Sequence, residues 1–115
     1  MKFTDTLKQN HEFRRLYSKG RSTVTPCLVL YARQSRRTRN RIGFTVSTKL
    51  GHAVVRNRVR RRLREAYRLH EAEFVPGMEL VIVARTRAAS ASFQELERAL
   101  LSAAGKLGIL REKPV

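Results

Sequence analysis

Between Arg56 and Arg68 the chain carries seven arginines, Arg56, Arg58, Arg60, Arg61, Arg62, Arg64 and Arg68, set among apolar residues at helical spacing. At about 100° per residue, Val55, Val59, Leu63, Ala66 and Tyr67 share one arc of a helix running from Ala53 to roughly Leu69. That arc needs a core to cover it, and the arginines cannot follow it inside. The segment therefore has to lie on the outside of a layered domain. Arg56, Arg60, Arg64 and Arg68 form an i, i+4 row, in which like charges repel by roughly 0.2–0.5 kcal/mol per pair. Only Glu65 offsets them within the segment. A bound polyanion would remove that repulsion, and guanidinium forks hold phosphate oxygens bidentately.

The rest of the chain has the same bias. Twenty-five Lys and Arg against nine Asp and Glu give a formal charge of +16, a field that draws polyanions over distance. Nucleic acid fits this balance better than a membrane surface or an acidic protein, because the apolar side of the arginine helix is committed to a core. At 115 residues there is room for one domain, 1–115, and one modest core. The single Cys27 has no internal partner and sits in an apolar run, so a buried thiol is expected. No apolar stretch reaches the roughly 20 residues of a membrane span. Met1-Lys2-Phe3-Thr4-Asp5, followed by Lys8, Asn10, His11 and Glu12, does not resemble a signal peptide, so a cytoplasmic location is expected.

Asn10-His11-Glu12 predicts a helix start with Asn10 as cap, and Phe13, Leu16 and Tyr17 share a face before a stop at Gly20. Cys27 to Ala32 predicts a strand, and Gln34 to Asn40 an arginine-rich hairpin loop into the next one. In Arg41 to Ser47, Ile42, Phe44 and Val46 point to the core, whereas Gly43, Thr45 and Ser47 form a small, polar face. Such a face suits either plain solvent or a chain lying across it. Pro76-Gly77 marks a turn, and Leu80 to Ala84 is apolar throughout, as in a strand buried on both faces. Ser92-Phe93-Gln94-Glu95 has the capping-box pattern and opens a helix with Phe93, Leu96, Leu100, Ala103, Ala104 and Leu107 at core spacing. The predicted order is α-β-β-α-β-α, an α+β fold (a mixed α/β sandwich) with helices packed on a small sheet.

No catalytic constellation accompanies this binding surface. The acids Asp5, Glu12, Glu65, Glu71, Glu73, Glu79, Glu95, Glu97 and Glu112 are scattered, and His11, His52 and His70 fall in three different elements. Neither a metal-binding carboxylate cluster nor a His pair is visible, so no catalytic residue and no metal ligand is assigned. Phe13, Tyr17 and Tyr31 fit equally a core or a platform on which unpaired bases stack.

The stretch Gly51-His52-Ala53-Val54-Val55-Arg56-Asn57-Arg58-Val59-Arg60-Arg61-Arg62-Leu63-Arg64-Glu65 resembles the RNR signature of the bacterial ribonuclease P protein component. The similarity extends over the Phe13/Tyr17 helix, the Leu28–Tyr31 strand, Ile42–Ser47 and Val81–Arg85, essentially the whole chain in order. The resemblance implies a ribosomal protein S5 domain 2-like fold with a left-handed β-α-β crossover, against the general preference. It also implies the protein subunit of a ribonucleoprotein endonuclease that removes the 5′ leader from precursor tRNA, with catalysis by an RNA subunit and its Mg²⁺. The implied partners are that RNA and precursor tRNA, with no membrane and no obligate protein partner.

By position, the resemblance assigns Arg56, Arg58, Arg60, Arg61, Arg64 and Arg68 to the catalytic RNA. It assigns Phe13, Tyr17, Tyr31, Thr45, Ser47, Arg56 and Asn57 to a cleft for the single-stranded leader. Two positions depart from the family pattern: His52 replaces a frequent Asn, and Thr48 a frequent Lys. A ribosomal or RNA-chaperone protein is the binding alternative, and a self-sufficient protein nuclease the catalytic one.

Overall fold

The computed structural model describes residues 1–111; Glu112 lies outside them. Within them, five strands and three α-helices follow in the order β1 (Thr4–Thr6), α1 (Asn10–Lys19), β2 (Arg21–Val24), β3 (Leu28–Gln34), β4 (Asn40–Thr45), α2 (Ala53–His70), β5 (Met78–Ala84) and α3 (Phe93–Leu107). The fold is α+β, as the sequence predicts. The strands form one mixed sheet in the order β1-β4-β5-β3-β2.

β5 is the centre of that sheet. Every residue from Met78 to Ala84 except Val83 is buried, as expected of a strand covered on both faces. It pairs parallel with β4, from Arg41↔Glu79 to Thr45↔Val83, and antiparallel with β3, from Leu28↔Ala84 to Gln34↔Met78. The hairpin expected between β3 and β4 therefore does not form, because β5 lies between them. The α2 crossover delivers the largely apolar β5 beside β4 and parallel to it. Asn40 then joins the two parallel strands at their start: its Oδ1 accepts from Met78 N (2.8 Å) and its Nδ2 donates to Val75 O (3.1 Å).

The edge strands β1 and β2 are not visible in the pattern of the sequence. Both are short and polar, which gives little alternation to read and also blunts the edges against further pairing. β1 is held from outside the sheet. The buried Glu71 carboxylate accepts from Lys2 N (2.7 Å), Phe3 N (3.3 Å) and Thr4 Oγ1 (2.8 Å), and Thr4 Oγ1 also meets Tyr67 OH at 2.7 Å.

The two sheet faces are covered differently. On one, Leu28, Leu30, Ile42, Leu80 and Ile82 pack with Val59, Leu63 and Tyr67 of α2 and Leu96, Leu100 and Ala103 of α3. Cys27 is buried in this cluster, as expected. On the other, Leu16 and Leu7 meet Val81, with Phe13, Tyr31 and Val83 around them. The caps follow the sequence at α3, where Ser92 Oγ accepts from Glu95 N (3.1 Å). At α1 the cap is Gln9 rather than Asn10; Gln9 N donates to Glu12 Oε1 (3.3 Å), so Glu12 does serve the helix start. Gly20 ends α1, donating its N–H to Leu16 O at 2.9 Å.

Candidate nucleic-acid interface

The seven arginines of α2 do not form one face. Arg58 and Arg62 flank the apolar arc on one side and reach across to the segment before α3: Arg58 Nη2 donates to Ala89 O (3.3 Å) and Arg62 Nη1 to Ala91 O (3.2 Å). Arg58 is half-buried, with its Nε buried and without a hydrogen-bond partner. Arg56 and Arg60 flank the arc on the other side. Arg56 Nε donates to Gly51 O (3.2 Å), and Arg60 Nη1 donates to Asn57 Oδ1 (3.2 Å). Arg61, Arg64 and Arg68 lie opposite the core and are exposed. Arg68 forms a bidentate pair with Glu65 (2.8 and 2.5 Å), and its hydrogen bond and charge hold the Glu65 carboxyl below its ordinary value. Arg61 and Arg64 have no acidic partner within salt-bridge distance among the described residues.

An open cleft of about 620 Å³ lies between α1 and the end of β4, bounded by Phe13, Arg14, Tyr17, Phe44, Thr45 and Arg60. The periodicity of α1 places Phe13 and Tyr17 on the same flank. Phe13 has both roles that the sequence leaves open: it is half-buried against the second apolar cluster and also lines the cleft. Its ring lies directly on Gly43, where a Cβ would come within 2.5 Å of Phe13 Cζ. Tyr17 is 40% exposed, donates or accepts through its hydroxyl at 3.0 Å from Thr45 Oγ1, and meets the Tyr31 ring edge-on with centroids 5.0 Å apart. Aromatic edges, a hydroxyl pair and a guanidinium thus converge on one concave surface.

Of the residues expected in the cleft, Phe13, Tyr17 and Thr45 line it, and Tyr31 supports it through Tyr17. Asn57 adjoins it by holding Arg60, a residue that the resemblance assigns only to the catalytic RNA. Ser47 and Arg56 do not line it: Ser47 Oγ accepts from Lys49 N (3.3 Å) and caps the 3-10 turn Thr48–Leu50, and Arg56 stands in the first turn of α2. Among the arginines expected on the RNA side, Arg60, Arg61, Arg64 and Arg68 are exposed, while Arg58 is turned into the protein. The helical wheel carries a signal for this, since Arg58 and Arg62 border the apolar arc and Arg61 and Arg64 oppose it.

His70 lies outside the cleft and is engaged by two carboxylates. His70 bonds Glu73 through Nδ1 and Glu97 through Nε2 (2.9 Å); burial works against its charge, but the two carboxylates outweigh it and raise its pKa above 6.5. His52 is exposed and precedes α2, accepting Arg56 N at its carbonyl (3.0 Å). Among the described residues, no group of three or more His, Cys, Asp or Glu is arranged to hold a metal ion, and no helix is long and apolar enough to cross a membrane.

Comparison with known proteins gives a consistent result. The family model described as Ribonuclease P matches residues 1–108. The chain is similar to the ribonuclease P protein component of Alkaliphilus metalliredigens, 39% identical over 110 residues, covering 96% of this chain and 99% of that one. It is 38% identical over 104 residues to the corresponding protein of Clostridium botulinum, covering 90% and 94%. The solved RNase P protein of Staphylococcus aureus superposes with a TM-score of 0.85 at 27% identity, covering 92% of this chain and 97% of that one. The Thermotoga maritima RNase P protein, at 24% identity and a TM-score of 0.77, covers 85% and 93% and shares the fold.

Proposed function

The chain belongs to the Ribonuclease P protein family, and on that premise we propose that it binds the catalytic RNA of a leader-removing endonuclease through α2 while holding the single-stranded leader of precursor tRNA in the α1/β4 cleft. The observation that carries this reading is the cleft itself. Phe13 and Tyr17 offer ring surface for unpaired bases, Tyr31 backs Tyr17, and Arg60 offers charge for the adjoining backbone. Such a combination tolerates any leader sequence, because stacking and phosphate contacts read no base identity.

The exposed Arg61 and Arg64, with Arg68 available by exchange from Glu65, are suited to the phosphates of a folded RNA. Each phosphate contact releases counterions, so affinity should fall with salt by a log–log slope of about 0.7–0.9 per contact. Mg²⁺ has no evident ligand set among the described residues: Glu12, Glu71 and Glu79 are buried and engaged by Arg41, by Thr4 with two backbone amides, and by Arg33 with Arg41. On this reading the metal chemistry belongs to the RNA subunit, and the protein binds and orients.

The test is cleavage of a leader-bearing precursor tRNA at low Mg²⁺ by protein alone, bacterial ribonuclease P RNA alone, and both together. Acceleration only in the combination supports the subunit role. Cleavage by the protein alone, or no gain over the RNA alone, overturns it. Phe13→Ala should then weaken leader-bearing precursor roughly tenfold, about the 1–3 kcal/mol of one stacked base, and leave mature tRNA unaffected. Equal losses on both RNAs would remove the leader from the cleft.

A further inference from the structure

Helix α1 crosses one sheet face as a ridge, and the leader cleft takes only one of its flanks. Three rungs of the sheet point to this face: Arg41–Glu79–Arg33, Gly43–Val81–Tyr31 and Thr45–Val83–Val29. Phe13 and Leu16 of α1 cover the middle rung. The cleft opens over the third. Over the first lies a separate groove of about 460 Å³, formed by the other flank of α1 and the loop after β3.

Five arginines line it, Arg15, Arg33, Arg36, Arg37 and Arg41, against the two carboxylates Glu12 and Glu79. The carboxylates are buried and organise the floor. Arg41 pairs with Glu12 and lies 3.6 Å from Glu79, and Arg33 is 3.8 Å from the other oxygen of Glu79. Arg15, Arg36 and Arg37 have no salt-bridge partner among the described residues, so three positive charges remain uncompensated. The loop carrying two of them is pinned. Ser35 N donates to Gly77 O (2.8 Å), and Ser35 Oγ accepts from Arg37 N (3.1 Å). Gly77 has a φ of 79°, and a Cβ there would come within 2.9 Å of Arg37 O. A held concentration of guanidinium groups around a polar floor is suited to phosphate oxygens.

We propose that this groove binds backbone phosphates of the precursor's 5′ extension, upstream of the leader segment held in the cleft. The inference rests on the leader reading above. The groove shares a sheet face with the cleft, whereas α2, which carries the exposed Arg61 and Arg64, packs on the opposite face. That placement favours substrate over catalytic RNA as the occupant. Its lining has no Phe, Tyr or Trp, so it would grip the strand by charge alone, whatever its sequence.

The experiment uses holoenzyme reconstituted with ribonuclease P RNA and one precursor tRNA carrying either a short leader, confined to the cleft, or a long one. Arg36→Ala/Arg37→Ala should lower the ratio of long-leader to short-leader affinity by roughly tenfold, and make the salt dependence for the long leader shallower by about 0.7 per lost contact. Loss of equal size on both precursors, or no loss on either, overturns the proposal. Phe13→Ala in the same assay separates the two ideas. If it weakens both precursors while the arginine pair changes nothing, the cleft reading survives and this one fails. If Phe13→Ala also changes nothing, the cleft reading fails as well.

Discussion

Gly43 is the residue at which packing and function meet most closely. Phe13 reaches the cleft because its ring rests on a position with no side chain, its edge 2.5 Å from where a Cβ would stand. Ala there must push the ring away or bend β4, because the opposing atoms belong to a ring packed against Leu7, Leu16 and Val81. Gly43→Ala should destabilise the fold by about 1–3 kcal/mol, as overpacked cores do, seen as a lower urea midpoint at unchanged slope. An unchanged midpoint would mean that Phe13 is free to move and does not define the cleft. The alternation of β4 marks Gly43 as part of a small, open face. What it cannot reveal is that an aromatic ring from another element uses that openness, because the two residues are far apart along the chain.

At the scale of elements, α2 divides its arginines between two tasks. Arg58 and Arg62 tie the helix to the carbonyls of Ala89 and Ala91, which lead into α3. Arg61 and Arg64 point away from the core. The two sets should respond oppositely to substitution. Arg58→Ala should lower thermal stability, with loss of packed stem and of a charge-assisted hydrogen bond, on the order of 1–2 kcal/mol. Arg61→Ala/Arg64→Ala should leave the melting temperature within error and weaken binding to ribonuclease P RNA, with a smaller salt slope. Thermal melts beside filter binding would separate the two effects. A stability loss in the second variant equal to that in the first would show that the wheel does not divide the helix as the structure places it.

Across the whole molecule, a chain of charge +16 relies on a few buried carboxylates to fix its edges. Burial alone would push the Glu12 and Glu71 carboxyls up. Arg41 and the amides of Gln9 and Lys8 reverse this at Glu12, and Thr4 with the amides of Lys2 and Phe3 reverses it at Glu71, so both lie below 4.5. Groups with lowered pKa contribute stability that is present above about 4.5 and lost as pH falls through the folded values. His70 has the opposite sign: its raised pKa contributes stability that is full below 6.5 and lost as pH rises through the folded value. Stability measured by denaturant titration should therefore be greatest between these limits, near about pH 5–6, and decline on both sides. Glu71→Gln should flatten the acid limb and release β1 first, detectable as faster amide exchange at Thr4 to Thr6. An acid limb of unchanged steepness in that variant would dissociate Glu71 from the anchoring of β1.

Periodicity and composition alone determined the layered α+β fold, the extents of α2 and α3, the buried β5 and the strongly basic character of the chain. Those properties arise from short-range repetition, about 3.6 residues for a helix and about 2 for a strand, which a window of sequence contains in full. The position of β5 between β3 and β4, the edge strands β1 and β2, and the inward turn of Arg58 were decided only by the tertiary structure. So were the two grooves flanking α1. Each depends on which distant segment supplies a hydrogen-bonding edge, a carbonyl or a ring, and the free energy of those contacts is not stored in any local stretch of the chain.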